Sequence, residues 1–299
     1  MEEIINIIWQ TKISDKPIIQ NETNNQFEFI TKVLFKNFNF INHFDDQKYK
    51  TVLNRSILIY GAWDKDITEQ QRKYFGTYKS NNLNYILFHL SNEVLNHYTD
   101  YYSDANYVFR FHYDPGIKLP NLITVPLGFL SGYMNNDKKI NLSTNRNTII
   151  CFIGDIKHDR QILINNISKI DNNVIHCTKT WGDIDMMPFD KVIEIYKKTI
   201  FAPVPLGYGN RDECCRPYEA LEWGCIPIIK KVNGVDFYKQ VLGDHPLPTI
   251  NEWSEIQPLI DKLMSENIDD LIIKINRWYL EYKEKLAVQI CDIVTNSLM

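Results

Sequence analysis

Arg211, Arg216 and Glu219 crowd into one short stretch, GYGNRDECCRPYEALEWG, residues 207–224. It opens with Gly207, Tyr208 and Gly209, and glycine lets a loop turn tightly and bring its backbone close to a ligand. Arg211 and Arg216 bracket the start of a helix. A helix start with two guanidinium groups suits an anion such as a phosphate and needs no metal. Glu219 follows one turn after Arg216, where a carboxylate can accept hydrogen bonds from vicinal ribose hydroxyls. Phosphate and ribose acceptors side by side describe a nucleotide-sugar site. The same spacing also allows a plain i,i+3 ion pair on the helix surface.

Further candidates lie just past other apolar runs. An acceptor hydroxyl needs a general base to take its proton. YILFHLSNE places Glu93 beyond one strand, and ILIYGAWD places Asp64 beyond another. Glu93 is the first choice, because Ser91-Asn92-Glu93 stands where a strand turns into a helix, and Asp64 is the close rival. YVFRFHYD adds His112 and Asp114. Arg110 lies inside that apolar run and needs a partner if it is buried. With Trp63 and His112 it reads as lining an acceptor site. Trp9, Trp63, Trp181 and Tyr208 could stack on a sugar or a base, although most aromatic residues in such a chain are core. Asp183-Ile184-Asp185 has the Asp-x-Asp spacing of metal-dependent transferases. It follows a Trp-Gly turn, and arginines can neutralise a leaving diphosphate instead. The reading is a site without a metal.

The elements that must position these residues alternate along the chain. Apolar runs at Glu3–Trp9, Ser56–Gly61, Tyr85–Leu90, Tyr107–Tyr113 and Asn121–Phe129 read as strands. Helical spacing appears in FEFITKVLFKNF and NEVLNHYTDYY. After the polar, aperiodic stretch from Leu130 to Asn147 the alternation restarts with TIICFIGD, NVIHCT, IFAPVPL and CIPIIK as strands. DRQILINNISK, MPFDKVIEIYKK, RPYEALEWG and the run from Glu255 to Leu298 read as helices. Such alternation predicts α/β layers with parallel sheets. The expectation is two Rossmann-like domains facing each other across a cleft. Residues 1–135 would form an acceptor domain and 136–147 a linker. Residues 148–299 would form a donor domain, with the last helix packing back on the first. Ligands of open α/β sheets sit beyond the carboxyl ends of the strands.

Composition narrows the partners. A net charge of -4 argues against a general nucleic-acid binder. No apolar run reaches transmembrane length and the N-terminus MEEIINIIWQTK has no signal-peptide core, so a cytoplasmic chain is expected. The six cysteines have no zinc spacing and read as reduced, largely buried thiols.

FAPVPLGYGNRDECCRPYEALEWGCIPII resembles the C-terminal signature of exostosin-like glycosyltransferases. There an apolar strand, a Pro-x-Gly loop and an Arg precede Glu-Ala-Leu, Gly-Cys-x-Pro and a second strand. CFIGDIKHDRQIL is similar to a second element of that family, and before Asn121 only the layout and PLG match. The resemblance implies the GT-B arrangement and transfer of a sugar, of xylose, hexose or uronic acid type, from a UDP-sugar with inversion. The acceptor is a glycan or glycoprotein hydroxyl, and no further cofactor is required. It makes Gly154, Arg160, Gly207, Tyr208, Gly209, Arg211, Arg216 and Glu219 donor-site candidates, with Arg160 on the diphosphate and Glu219 on the ribose. Eukaryotic members usually sit behind a membrane anchor in the Golgi. This chain shows none, which suits a bacterial or viral member, in the host cytoplasm if viral, or a trimmed chain. The alternatives are a GDP-sugar, fucosyltransferase-like enzyme, a nucleotide-sugar epimerase and an inactive glycan-binding protein. A retaining enzyme would want Glu-x7-Glu, and Glu213 and Glu219 are too close for that.

Overall fold

The computed structural model describes residues 4–10, 25–45, 49–61, 69–90, 99–180, 183–207 and 213–299. The chain divides into two compact units, one of Met1–Leu127 with Lys283–Met299 and one of Gly128–Tyr282.

The first unit is built on a six-stranded parallel sheet. Its strands are β1 (Ile5–Trp9), β2 (Phe40–Phe44), β3 (Ser56–Tyr60), β4 (Tyr85–His89), β5 (Tyr107–Arg110) and β6 (Leu122–Thr124). Their order is β2-β1-β3-β4-β5-β6. β3 and β4 are buried along their whole length, as expected of parallel strands covered on both faces. β2 was not evident in the sequence. It is an edge strand with a half-exposed pattern, so FINHF carries no apolar run to reveal it. Helix α1 (Glu69–Ser80) also escapes a hydropathy reading, because it buries Tyr74, Phe75 and Tyr78 amid charged residues. Those three rings join Ile8, Leu58, Tyr60, Leu87 and Val108 in the core. The FEFITKVLFKNF run forms a turn of α-helix, Phe27–Phe29, that continues as a π-helix over Ile30–Leu34. Trp9 belongs to the core. It is fully buried, donates to Asn42 Oδ1 at 2.9 Å and packs on Phe27 and Phe44, so it is no sugar platform.

The second unit has a five-stranded parallel sheet of β7 (Thr148–Asp155), β8 (Asn173–Thr178), β9 (Thr199–Val204), β10 (Ile226–Lys230) and β11 (Thr249–Ile250). Its order is β11-β10-β9-β7-β8. The chain steps from β7 to β8 on one side and returns to β9 on the other, which puts the switch point between β7 and β9. Helices α2 (Arg160–Ile167), α3 (Phe189–Lys198), α4 (Arg216–Glu222), α5 (Tyr238–Leu242) and α6 (Ile256–Ser265) connect and follow the strands. The long helix α7 (Ile268–Leu298) ends in residues assigned to the first unit, where Glu284 pairs with Lys36 and the Cys291 thiol reaches the Asn37 carbonyl.

The polar stretch after Leu130 behaves differently from a free linker. Asn135 takes Glu222 as a partner through its backbone and side-chain N–H groups. Asn141 donates to the Lys197 carbonyl, and Ser143 N–H to Asp269. Arg146 is buried and donates to the carbonyls of Asn141, Tyr196, Thr199 and Trp223. Residues 135–146 are thus bound to the second unit through polar contacts, which carry no hydrophobic period. No described helix is long and apolar enough to cross a membrane.

Candidate functional site

Two strand ends flank the switch point of the second unit. β7 finishes at Gly154-Asp155, and β9 runs out through Pro205, Leu206 and Gly207. Arg160, the first residue of α2, joins them. Nη1 donates to the Asp155 carboxylate and carbonyl, and Nη2 donates to the Leu206 carbonyl at 2.6 Å. Its side chain is buried, and Nε has no hydrogen-bond partner among the described residues. Lys157 also meets Asp155, at 3.1 Å. Gly154 lies alongside, where a Cβ would stand 3.5 Å from Arg160 Nη1. The guanidinium expected on a diphosphate therefore ties two strand ends together, with Asp155 taking part of its charge.

Arg216 and Glu219 occupy the first turn of α4. Nη1 donates to Oε2 at 2.5 Å, so the i,i+3 pair forms, but not on the surface. Glu219 is completely buried and its Oε1 has no hydrogen-bond partner among the described residues, while Arg216 keeps about a quarter of its side chain open. Tyr133 and, from α3, Tyr196 face the same pair. Burial alone would lower the Arg216 pKa. The charge of Glu219 and the phenols of Tyr196 and Tyr133 outweigh burial and hold it well above its usual range. The phenols themselves are pushed up by burial and stay neutral. α4 has only seven residues, so its backbone dipole adds little and the arginine carries the positive charge.

The thiols of the cysteines nearby are held in the neutral form. Burial pushes the Cys214, Cys215 and Cys151 thiols up and Cys225 to about 11. Asp183 accepts the Lys179 N–H at 3.3 Å, and the Asp185 backbone carbonyl meets His176 at 2.9 Å. The Asp183–Asp185 segment is a surface turn, with Ile184 almost fully exposed. Among the described residues no three His, Cys, Asp or Glu side chains gather to hold a metal ion.

In the first unit, Tyr60, His89 and Arg110 end β3, β4 and β5 and are register partners. Partners in a parallel sheet share a face, so the three side chains form one row. Tyr60 stacks on His89 with ring centroids 4.7 Å apart, and His89 Nδ1 hydrogen-bonds to Tyr102 at 2.5 Å. Tyr60 pairs with Tyr101 at 2.8 Å. Burial pushes Tyr60 far up and Tyr102 to about 12. Arg110 is fully buried beside them, and the Asp114 carboxylate approaches it at 3.8 Å. His112 is buried just after the strand, in the left-handed region at φ 62°.

Glu93, Asp64, Trp63, Trp181, Tyr208, Gly209 and Arg211 lie outside the described residues. Tyr133, Tyr196, Asp155, Tyr60 and His89 are site neighbours that pattern reading missed. The strand-end position of Asp155, Tyr60 and His89 was the available signal. Tyr133 and Tyr196 meet Arg216 only through folding.

No curated protein sequence matches the chain significantly. Among solved structures, an α1,3-fucosyltransferase is similar with a TM-score of 0.53 at 11% identity, covering 98% of this chain and 91% of that one. HepE from Anabaena, solved in complex with UDP-glucose, aligns with a TM-score of 0.46 at 9% identity over 98% of this chain and 100% of its own. The first likeness establishes the fold, that of two parallel-sheet α/β units of the GT-B glycosyltransferase type. A family model, the RXYLT1 C-terminal domain, matches residues 132–299. That span contains β7 to β11 and the whole Arg160, Arg216 and Glu219 constellation, and, since it is more than half of the chain, the protein belongs to the RXYLT1 C-terminal domain family.

Proposed function

We propose that the protein is an inverting glycosyltransferase that moves a sugar from a UDP-sugar to a glycan hydroxyl, with the donor held by the second unit. The observation that carries this reading is the buried Arg216–Glu219 pair. A partly open guanidinium, fixed by a buried carboxylate, offers charge to a diphosphate, and Glu219 Oε1 is an acceptor that a ribose hydroxyl would satisfy. Arg216 would stabilise the negative charge that grows on the leaving diphosphate. Arg160 would keep the ends of β7 and β9 in place beneath it. The preference for UDP follows from the exostosin-like signature of Phe201–Ile229. The general base is a carboxylate of the first unit, Glu93 before Asp64. No metal is required in this reading, since the arginines supply the positive charge.

The test is a thermal-shift series with UDP, GDP, CMP and UDP-sugars, with and without EDTA, since a ligand of the native state raises apparent stability. A saturable UDP shift that survives EDTA and is lost in Arg216→Ala is expected. A shift with GDP alone would replace the donor by a GDP-sugar, and no shift with any nucleotide would leave a glycan-binding protein. With UDP binding in hand, Glu93→Gln should abolish transfer while leaving the UDP shift intact. Retained turnover would move the base to Asp64.

A further inference from the structure

Arg110 is the last residue of β5 and has no solvent exposure. Its Nε donates to the Phe111 carbonyl at 3.2 Å, yet Nη1 and Nη2 have no hydrogen-bond partner among the described residues. Asp114 does not fill the fork. Its Oδ2 stands 3.8 Å from Nη1, beyond hydrogen-bond distance, and its Oδ1 accepts the Gly116 N–H at 2.9 Å. A buried guanidinium with both terminal nitrogens unsatisfied is a costly state, which a complementary anion relieves. The two parallel N–H vectors of the fork match the two oxygens of a carboxylate.

The surroundings favour a monoanion. Tyr101 and Tyr102 face Arg110 as neutral phenols, and His89 is committed to Tyr102 on one ring nitrogen. Among the described residues Arg110 is the cation here, and Asp114 offsets part of its charge, so a doubly charged phosphate would be poorly balanced. A planar, singly charged group fits the fork and the charge.

We infer that the first unit carries a carboxylate-binding site at the carboxyl ends of β3, β4 and β5, anchored by the Nη1/Nη2 fork of Arg110. Its source would be an acidic sugar on the acceptor, and this assignment of the source rests on the transferase reading, whereas the site itself rests on Arg110.

The experiment titrates the full chain with glucuronate, glucose and inorganic phosphate, followed by calorimetry and thermal shift. Glucuronate and glucose differ at the carboxylate, so glucuronate should bind saturably and glucose should not. Arg110→Met should weaken glucuronate at least tenfold. Arg110→Lys, which keeps the charge and loses the fork, should also weaken it, and it supplies the answer if the Met variant does not fold by circular dichroism. Glucuronate affinity within twofold of wild type in a folded variant overturns the site, as does the absence of any glucuronate binding. Saturable phosphate binding without glucuronate binding overturns the carboxylate assignment. UDP is titrated into the same samples. A missing UDP response beside an Arg110-dependent glucuronate response sinks the donor reading alone, and the reverse result sinks this inference alone.

Discussion

At the scale of single residues, the Arg216–Glu219 pair shows how burial changes what a spacing means. The i,i+3 spacing fits a weak surface pair as well as a ligand site. The structure forms the pair but removes Glu219 from solvent, and a buried carboxylate depends on its partner. Arg216→Ala should therefore lower unfolding stability by about 3 kcal/mol, because it strands a buried charge. Adding Glu219→Gln should recover part of that loss. Urea denaturation of the single and double variants checks both, and additive losses would show that the two side chains act separately. The residue types were legible in the sequence, as were Arg160 and Arg110. Their partners were not, because Tyr133, Tyr196 and Asp155 reach these arginines from other elements.

At the scale of elements, the join between the two halves of the sequence departs most from pattern reading. Residues 136–147 have a linker's composition, yet Arg146 caps the last carbonyls of α3 and α4. Gly224, just past α4, has φ 72°, a left-handed conformation that glycine adopts without penalty. A Cβ there would stand 2.8 Å from Arg146 Nη2 and 2.8 Å from Ile140. Gly224→Ala should cost about 2 kcal/mol or more, from backbone strain and crowding together. Chemical denaturation reads the loss, and a variant as stable as wild type would mean that the Arg146 contact is dispensable. The same glycine belongs to the Gly-Cys-x-Pro signature, so a motif that reads as donor chemistry also contains a structural joint. Buried parallel strands were the easiest elements to find in advance, since both faces are apolar. The edge strand β2 and the tyrosine-rich α1 were harder, because neither carries a continuous apolar signal.

At the scale of the whole molecule, both units hide tyrosine hydroxyls. Burial pushes up Tyr60, Tyr101 and Tyr102 in the first unit and Tyr196, Tyr218, Tyr238 and Tyr279 in the second. A group whose folded pKa is raised keeps its proton in the native state while the unfolded chain loses it. The stability it contributes is complete below the unfolded value of about 10 and falls as pH rises beyond it. Several such groups act together, so stability should drop by more than about 1.4 kcal/mol per pH unit above that point. Tyrosinate absorbance should rise together with unfolding. Full ionisation of the phenols while circular dichroism remains native would contradict the burial of these rings.

The alternation of short apolar runs with helical spacing already contained the α/β class, the parallel strands and the strand-end placement of the arginines. Those features depend on local periodicity and on turn chemistry, which neighbouring residues encode. The order of the strands, the burial of Arg110, the buried carboxylate of Glu219 and the attachment of residues 135–146 to the second unit depend on residues far apart in the chain. Burial and hydrogen-bond partners are set by what packs across the sheet, so these features came into being only when the two units folded.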